Sequence, residues 1–212
     1  MSSQFRYGMK KVLVCATRNR HKLEELRPLL EPLGYVLRTL DEEAPNLPLI
    51  EDGDTFAANA EKKALAVHQA TGKAALADDS GLEVDALGGA PGVHSARYAA
   101  TPEAHGHDDD ANKRKLLAAL SGTTNRAARF RCALALVTQG GELFTAEGTC
   151  EGKILTAERG SGGFGYDPLF VPDGFAETFA ELSTEAKNQI SHRRRALDAL
   201  VAKLSAPRQV GE

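Results

Sequence analysis

The stretch VLVCATRNRHKLEELRPLL, residues 12–30, decides how the rest of the chain is read. Val12 to Ala16 is a short continuous apolar run, the signature of a strand buried on both faces, and a helical pattern follows it after a few polar residues. That helix is expected over His21 to Leu33, with Leu23, Leu26, Leu30 and Leu33 on one face and Pro28 imposing a kink or an early end. A buried strand feeding a helix belongs to the α/β class, and the flanking sequence continues in that style. Tyr35 to Leu40 reads as a second strand, Asp41 to Gly53 as a loop holding Pro45 and Pro48, and Thr55 to Thr71 as a helix with Thr55 as its N-cap. Ala74 to Ala77 reads as a short strand ending in Asp78-Asp79-Ser80-Gly81, and Leu82 to Leu87 as a further extended piece. Thr101-Pro102-Glu103 offers a helix start that His105-Gly106-His107 breaks before Asp108 to Leu120 resumes it. Arg129 to Val137 alternates, with Phe130, Cys132, Leu134 and Leu136 on one face, and Gln139-Gly140-Gly141-Glu142 turns it into a strand over Leu143 to Thr149. A last helix carries Leu197, Leu200, Val201 and Leu204 at core spacing. The sum is an α/β domain with a mixed sheet, without internal repeat, low-complexity tract or interdomain linker.

Composition narrows the function. The 212 residues are 42% hydrophobic and 26% charged, enough to bury a sizeable core in one domain. With 26 Lys+Arg against 29 Asp+Glu the formal net charge is -3, which argues against a general nucleic-acid binder and against a polybasic membrane-surface protein. No transmembrane-length apolar run and no signal-like segment over Met1 to Lys11 is present, so a soluble, cytoplasmic protein is expected. Cys15, Cys132 and Cys150 match no zinc or redox spacing and are expected as buried thiols.

Four stretches offer chemistry. Thr17-Arg18-Asn19-Arg20-His21-Lys22 lies between a strand and a helix, where backbone N–H groups and the helix dipole suit a phosphate; the alternative is a plain helix cap. The spacing of a P-loop is absent. Glu51-Asp52-Gly53 and Asp78-Asp79-Ser80-Gly81 supply carboxylates that could hold Mg²⁺ together with substrate phosphates, or merely form solvated turns. Gly160 to Gly165 lets backbone approach a ligand closely, with Phe164 and Tyr166 as flat faces for a base; a glycine-rich bend with core aromatics is the alternative. In KNQISHRRR, residues 187–195, one unbroken helix would set Lys187 and His192 about 140° apart, whereas a helix newly capped by Ser191 would turn Lys187, His192 and Arg193 to a common site. The run His105-Gly106-His107-Asp108-Asp109-Asp110 reads as a hydrated loop rather than a metal cluster, and His68 and His94 as structural.

Together the stretches 16–26, 51–64, 77–99, 162–168 and 180–197 resemble the inosine triphosphate pyrophosphatase family, the dITP/XTP pyrophosphatases, in order and over nearly the whole chain. The run from Ala77 to Ala99 is the most specific. The resemblance implies an elongated mixed sheet with flanking helices forming two lobes around a central cleft, one domain over residues 1–212, and flexible ends at 1–10 and 206–212. It implies a Mg²⁺-dependent homodimer that hydrolyses ITP, dITP and XTP to the monophosphate and pyrophosphate, with neither nucleic-acid nor membrane partners. Carried over residue by residue, Thr17, Arg18, Asn19, Arg20, His21 and Lys22 would bind triphosphate, and Glu51 and Asp79 would hold the metal. Asp79 would be the proton acceptor, and Ser80, Phe164, Gly165, Tyr166, Asp167, Lys187, His192 and Arg193 would contact substrate. Arg18 and His21 depart from the family's frequent glycines, as does Arg194 from the frequent SHRG.

Overall fold

The apolar run at the N-terminal end forms strand β1, Lys11–Cys15, and its two faces bury different partners. Leu13 and Cys15 join one core and Val14 and Ala16 another, so the central sheet is covered on both sides. The computed structural model describes residues 11–101 and 108–206. The expected flexible ends lie outside the described residues, apart from Ala206, and so does the expected helix start at residues 102–103.

Helix α1, Arg20–Leu30, stops two residues after Pro28 and passes into a 3₁₀ turn, Glu31–Leu33, because that ring removes a hydrogen-bond donor from the helix interior. Strand β2, Tyr35–Thr39, follows. The segment expected as loop from Asp41 instead opens with a helical turn α2, Leu40–Glu43, held by a reciprocal cap in which Thr39 and Glu42 bond each other's backbone N–H. Helix α3, Phe56–Thr71, is capped by Thr55 as expected. Strand β3, Ala75–Val84, corrects a second expectation: residues 74–77 and 82–87 are not two pieces, since the acidic tetrapeptide between them runs straight through the sheet. Ten ladder pairs from Ala75↔Val137 to Val84↔Ala128 hold it extended against strand β4, Ala127–Val137. After helix α4, Asp109–Ala119, the hairpin of β4 and strand β5, Leu143–Ile154, runs longer than the sequence pattern suggested. Strand β6, Phe170–Pro172, and helices α5, Thr184–Ile190, and α6, His192–Ser205, complete the chain.

The sheet order is β2-β1-β3-β4-β5-β6, parallel among β2, β1 and β3 and antiparallel beyond. The mixed sheet with flanking helices is the α/β architecture expected. Helices α1 and α6 cover one face around Leu26, Leu30, Leu197 and Leu200, and α3 covers the other around Ala60, Ala64 and Val67. A third core gathers Phe130, Phe170 and Phe179 with Leu116 of α4. The three cysteines are buried and unpaired. Among the described residues no helix is long and apolar enough to cross a membrane.

Candidate active site

Successive strand residues point to opposite faces, and this divides the acidic pair at the centre of β3. Asp78 turns toward α1 and α6. Its carboxylate accepts from Lys22 Nζ at 2.6 Å, Arg193 Nε at 2.7 Å and Ser80 Oγ at 2.9 Å. Burial pushes the Asp78 carboxyl up, but Arg193 and Lys22 overcome it and hold it well below the ordinary aspartate value. Asp78 is thus an anchor for two cations, not a second metal-facing acid.

Asp79 turns toward α3. Its Oδ1 accepts from Lys63 Nζ at 2.9 Å and its Oδ2 from Asn59 Nδ2 at 3.1 Å, and the same Lys63 ammonium reaches Glu51 Oε1 at 2.5 Å and the Asp78 carbonyl at 2.9 Å. Burial raises the Asp79 carboxyl above its ordinary value against the pull of Lys63 and Lys22. Lys63 keeps its proton: burial pushes it down, and Asp79 and Glu51 more than compensate. Lys63 went unnoticed in the sequence, although it lies one turn from Ala60 and Val67 on the buried face of α3, where an ionised side chain needs partners. Glu51 Oε1 and Asp79 Oδ1 converge on the Lys63 ammonium, and hard carboxylate oxygens such as those of Glu51 and Asp79 fit Mg²⁺ when phosphates and water complete the shell. Among the described residues no group of three or more protein donors forms a closed metal cage.

The strand-to-helix turn after β1 forms the helix cap that its sequence offers, and part of it lines a cavity. Asn19 caps α1 by accepting from Lys22 N at 3.2 Å, and Thr17 Oγ1 accepts from Asn19 N at 3.1 Å. Thr17, Arg18, Asn19 and Lys22 line a cavity of about 330 Å³ that also contains Glu51, Lys63 and Asp79. Arg20 and His21 stand outside that lining; Arg20 is exposed and the His21 ring stacks on Phe164 at 5.3 Å between centroids.

The glycine-rich loop, through Phe164 to Asp167, also lines the cavity. Gly163, at φ +70°, leaves no room for a Cβ, which would sit 2.1 Å from Asp167 Oδ2. That oxygen accepts from Phe164 N at 2.9 Å and from Lys187 Nζ at 2.6 Å. Burial raises the Asp167 carboxyl against the pull of Lys187. Gly165 N donates to Asp109 Oδ2 at 2.8 Å and Tyr166 OH to Ser95 O at 2.9 Å, so α4 and the segment after β3 hold the loop. Asp108 caps α4, which gives part of the expected hydrated loop an ordered role; residues 105–107 lie outside the described residues.

Ser191 divides α5 from α6 and caps the second with its Oγ on Arg194 N, which brings Lys187, His192 and Arg193 to the cavity wall as expected. Arg193 is 1% exposed and turns its guanidinium to Asp78, Ser80 and Glu25. Glu25, also unnoticed in the sequence, joins Arg193 to Lys187, whose Nζ lies 2.6 Å from its Oε1. The His192 ring stacks on Phe130 with its Nδ1 unpartnered, and burial, reinforced by Arg193 and Lys187, pushes it well below the ordinary histidine value. It is therefore a neutral imidazole at neutral pH.

The described geometry has relatives. The chain is 54% identical over 187 residues, 87% of its own length and 91% of the relative's, to the dITP/XTP pyrophosphatase of Desulforamulus reducens. It is also 54% identical over 186 residues, 88% of this chain and 78% of the relative, to that of Syntrophobacter fumaroxidans. The solved structure of the Staphylococcus aureus Ham1 protein superposes with a TM-score of 0.80 at 40% identity, covering 92% of this chain and 98% of that one. With the family's sequence model matching residues 13–203, the chain belongs to the Ham1 family.

Proposed function

We propose that this protein hydrolyses the non-canonical purine nucleoside triphosphates ITP, dITP and XTP to the monophosphate and pyrophosphate, withdrawing them from the cytoplasmic pool before they enter DNA or RNA. The observation that carries the reading is one cavity whose lining includes Glu51, Lys63 and Asp79 together with Phe164 and its glycine loop. The first group suits a triphosphate and its attacking water, and the second suits a flat base. Asp79 accepts the proton of that water, as a carboxylate beside the cation and the triphosphate can. Glu51 and Asp79 would hold Mg²⁺, which supplies charge neutralisation on the phosphate oxygens. Thr17, Asn19 and the amides at the start of α1 orient the phosphates, and Lys22 and Lys63 bring positive charge beside them. Neutral His192 and the backbone around it face the base edge, where an N–H donor favours the 6-oxo group of hypoxanthine or xanthine over the 6-amino group of adenine. The family resemblance supports a homodimer as the working form.

Incubation with Mg²⁺ and ITP, XTP, dITP, ATP or GTP, followed by product identification, tests this reading. Monophosphate plus pyrophosphate from the first three supports it; diphosphate plus phosphate, or no turnover, sinks it. Asp79→Asn should keep nucleotide affinity and lose roughly 10²- to 10⁴-fold in turnover, the range general-base catalysis supplies. Wild-type turnover in that variant would remove Asp79 from the chemistry.

A further inference from the structure

The cavity's embedded cations are already spoken for. Lys22 pairs with Asp78, Lys63 with Glu51 and Asp79, Lys187 with Glu25 and Asp167, and Arg193 with Asp78 and Glu25. Four cations thus face five carboxylates, which leaves no surplus positive charge for a triphosphate. Two further arginines line the cavity. Arg18 is committed elsewhere, with Nε on Asp41 at 3.0 Å and NH2 on the carbonyls of Pro45 and Leu47 at 2.7 and 3.1 Å. Arg97 is different. Its NH2 donates to the Glu51 carbonyl at 3.1 Å, and among the described residues the one carboxylate it meets is that of Glu51, at an NH1–Oε2 separation of 3.7 Å that is beyond hydrogen-bond reach, so no carboxylate neutralises it at close range.

We propose that Arg97 is a substrate-binding residue that grips the terminal phosphates of the triphosphate, the part that leaves as pyrophosphate. This rests on the pyrophosphatase reading of the cavity. Lys63 holds one oxygen of Glu51 and Arg97 lies beside the other, so Arg97 borders the cation position where phosphate oxygens must gather. Its side chain is 39% exposed, accessible to a ligand from the cavity. The backbone that carries it is fixed. Arg97 ends a 3₁₀ helix, Gly92–Arg97, packed onto β3 at Gly81, where a Cβ would sit 2.4 Å from Ser95 Oγ and 2.6 Å from Gly92 O. Ser95 Oγ accepts from Leu82 N at 2.9 Å, and Asn112 of α4 bonds Ala96 O at 3.1 Å and Ala99 N at 2.7 Å. The 3₁₀ helix that carries the guanidinium is therefore anchored at Gly81, two residues along the strand from Asp79, and little backbone order has to be created when phosphate arrives. A fork of N–H donors also matches phosphate oxygens better than an ammonium does.

Calorimetric titration of wild type, Arg97→Ala and Arg97→Lys with inorganic tripolyphosphate and with IMP, in Mg²⁺, tests the assignment. Arg97→Ala should weaken tripolyphosphate by about tenfold, the low end for a charge-assisted hydrogen bond because the group is partly solvated, and leave IMP unchanged. Arg97→Lys should recover part of the loss. Wild-type tripolyphosphate affinity in Arg97→Ala overturns the proposal, and so does an equal loss for both ligands, which marks a merely structural residue. Release of phosphate instead of pyrophosphate by the wild type would defeat the functional reading yet leave the tripolyphosphate difference intact, so the two failures are distinguishable.

Discussion

Replacing Glu25 by Gln keeps its size and removes its charge from the centre of a buried network. Glu25 is 7% exposed and holds Lys187 at 2.6 Å through one oxygen and Arg193 through the other. Removing one partner of a buried ion pair typically costs about 3–5 kcal/mol. Here each cation keeps a second carboxylate, Asp167 at 2.6 Å from Lys187 and Asp78 at 2.7 Å from Arg193, and the new amide oxygen still accepts a bond. The expected cost is therefore smaller, about 2–3 kcal/mol, which for a domain of this size lowers Tm by roughly 4–12 °C. The pH dependence gives a sharper check. Burial pushes the Glu25 carboxyl up, but Arg193 and Lys187 overcome it and hold it below its ordinary value of 4.5. Its contribution is then fully present above 4.5 and is lost as the pH falls below that value toward the folded-state one. Thermal melts of both proteins, from neutral pH downward, should show a gap that is widest at neutral pH and closes on acidification. A gap below about 1 °C at neutral pH, or one that widens in acid, refutes the role given to Glu25.

Two further outcomes follow from the cavity. Lys63→Met leaves Glu51 and Asp79 facing each other without their shared ammonium, so pyrophosphate release should slow by about 10²-fold or more; an initial rate close to wild type would remove Lys63 from the reaction. Phe164→Ala should weaken IMP and GMP alike by about tenfold, the usual worth of an aromatic platform under a base, as read by calorimetry. Unchanged affinity for both would make that ring a packing residue, held by His21 and Lys187 for its own sake.

Local rules carried the reading of the sequence far where one element decided its own shape. Val12 to Ala16, the Thr55 cap and the Ser191 break each obeyed short-range chemistry, and the structure follows them. Asp78-Asp79-Ser80-Gly81 has the composition of a turn, yet pairing with residues 131–134 of β4 makes it the middle of a strand. Tertiary pairing overrode local propensity there, and with it went the clue that the two acids point apart. Glu25 and Lys63 were obscured differently. Each looks like an ordinary charged residue of an amphipathic helix, and only their place on the apolar face, among Leu26 and Leu30 or Ala60 and Val67, hints at burial. Their partners lie far away in the chain, beyond the reach of any spacing rule.

That separation bears on how the protein comes into being. Glu25 waits for Lys187 and Arg193, which are 162 and 168 residues further along. In chain order all six described strands and most of the cavity lining precede α5 and α6. A chain ending before Thr184 would carry a buried-facing glutamate with neither of its cations. Electrostatic completion of the cavity is thus a late event, set by the last helices, so that a chain cut short is left without a finished place to do chemistry.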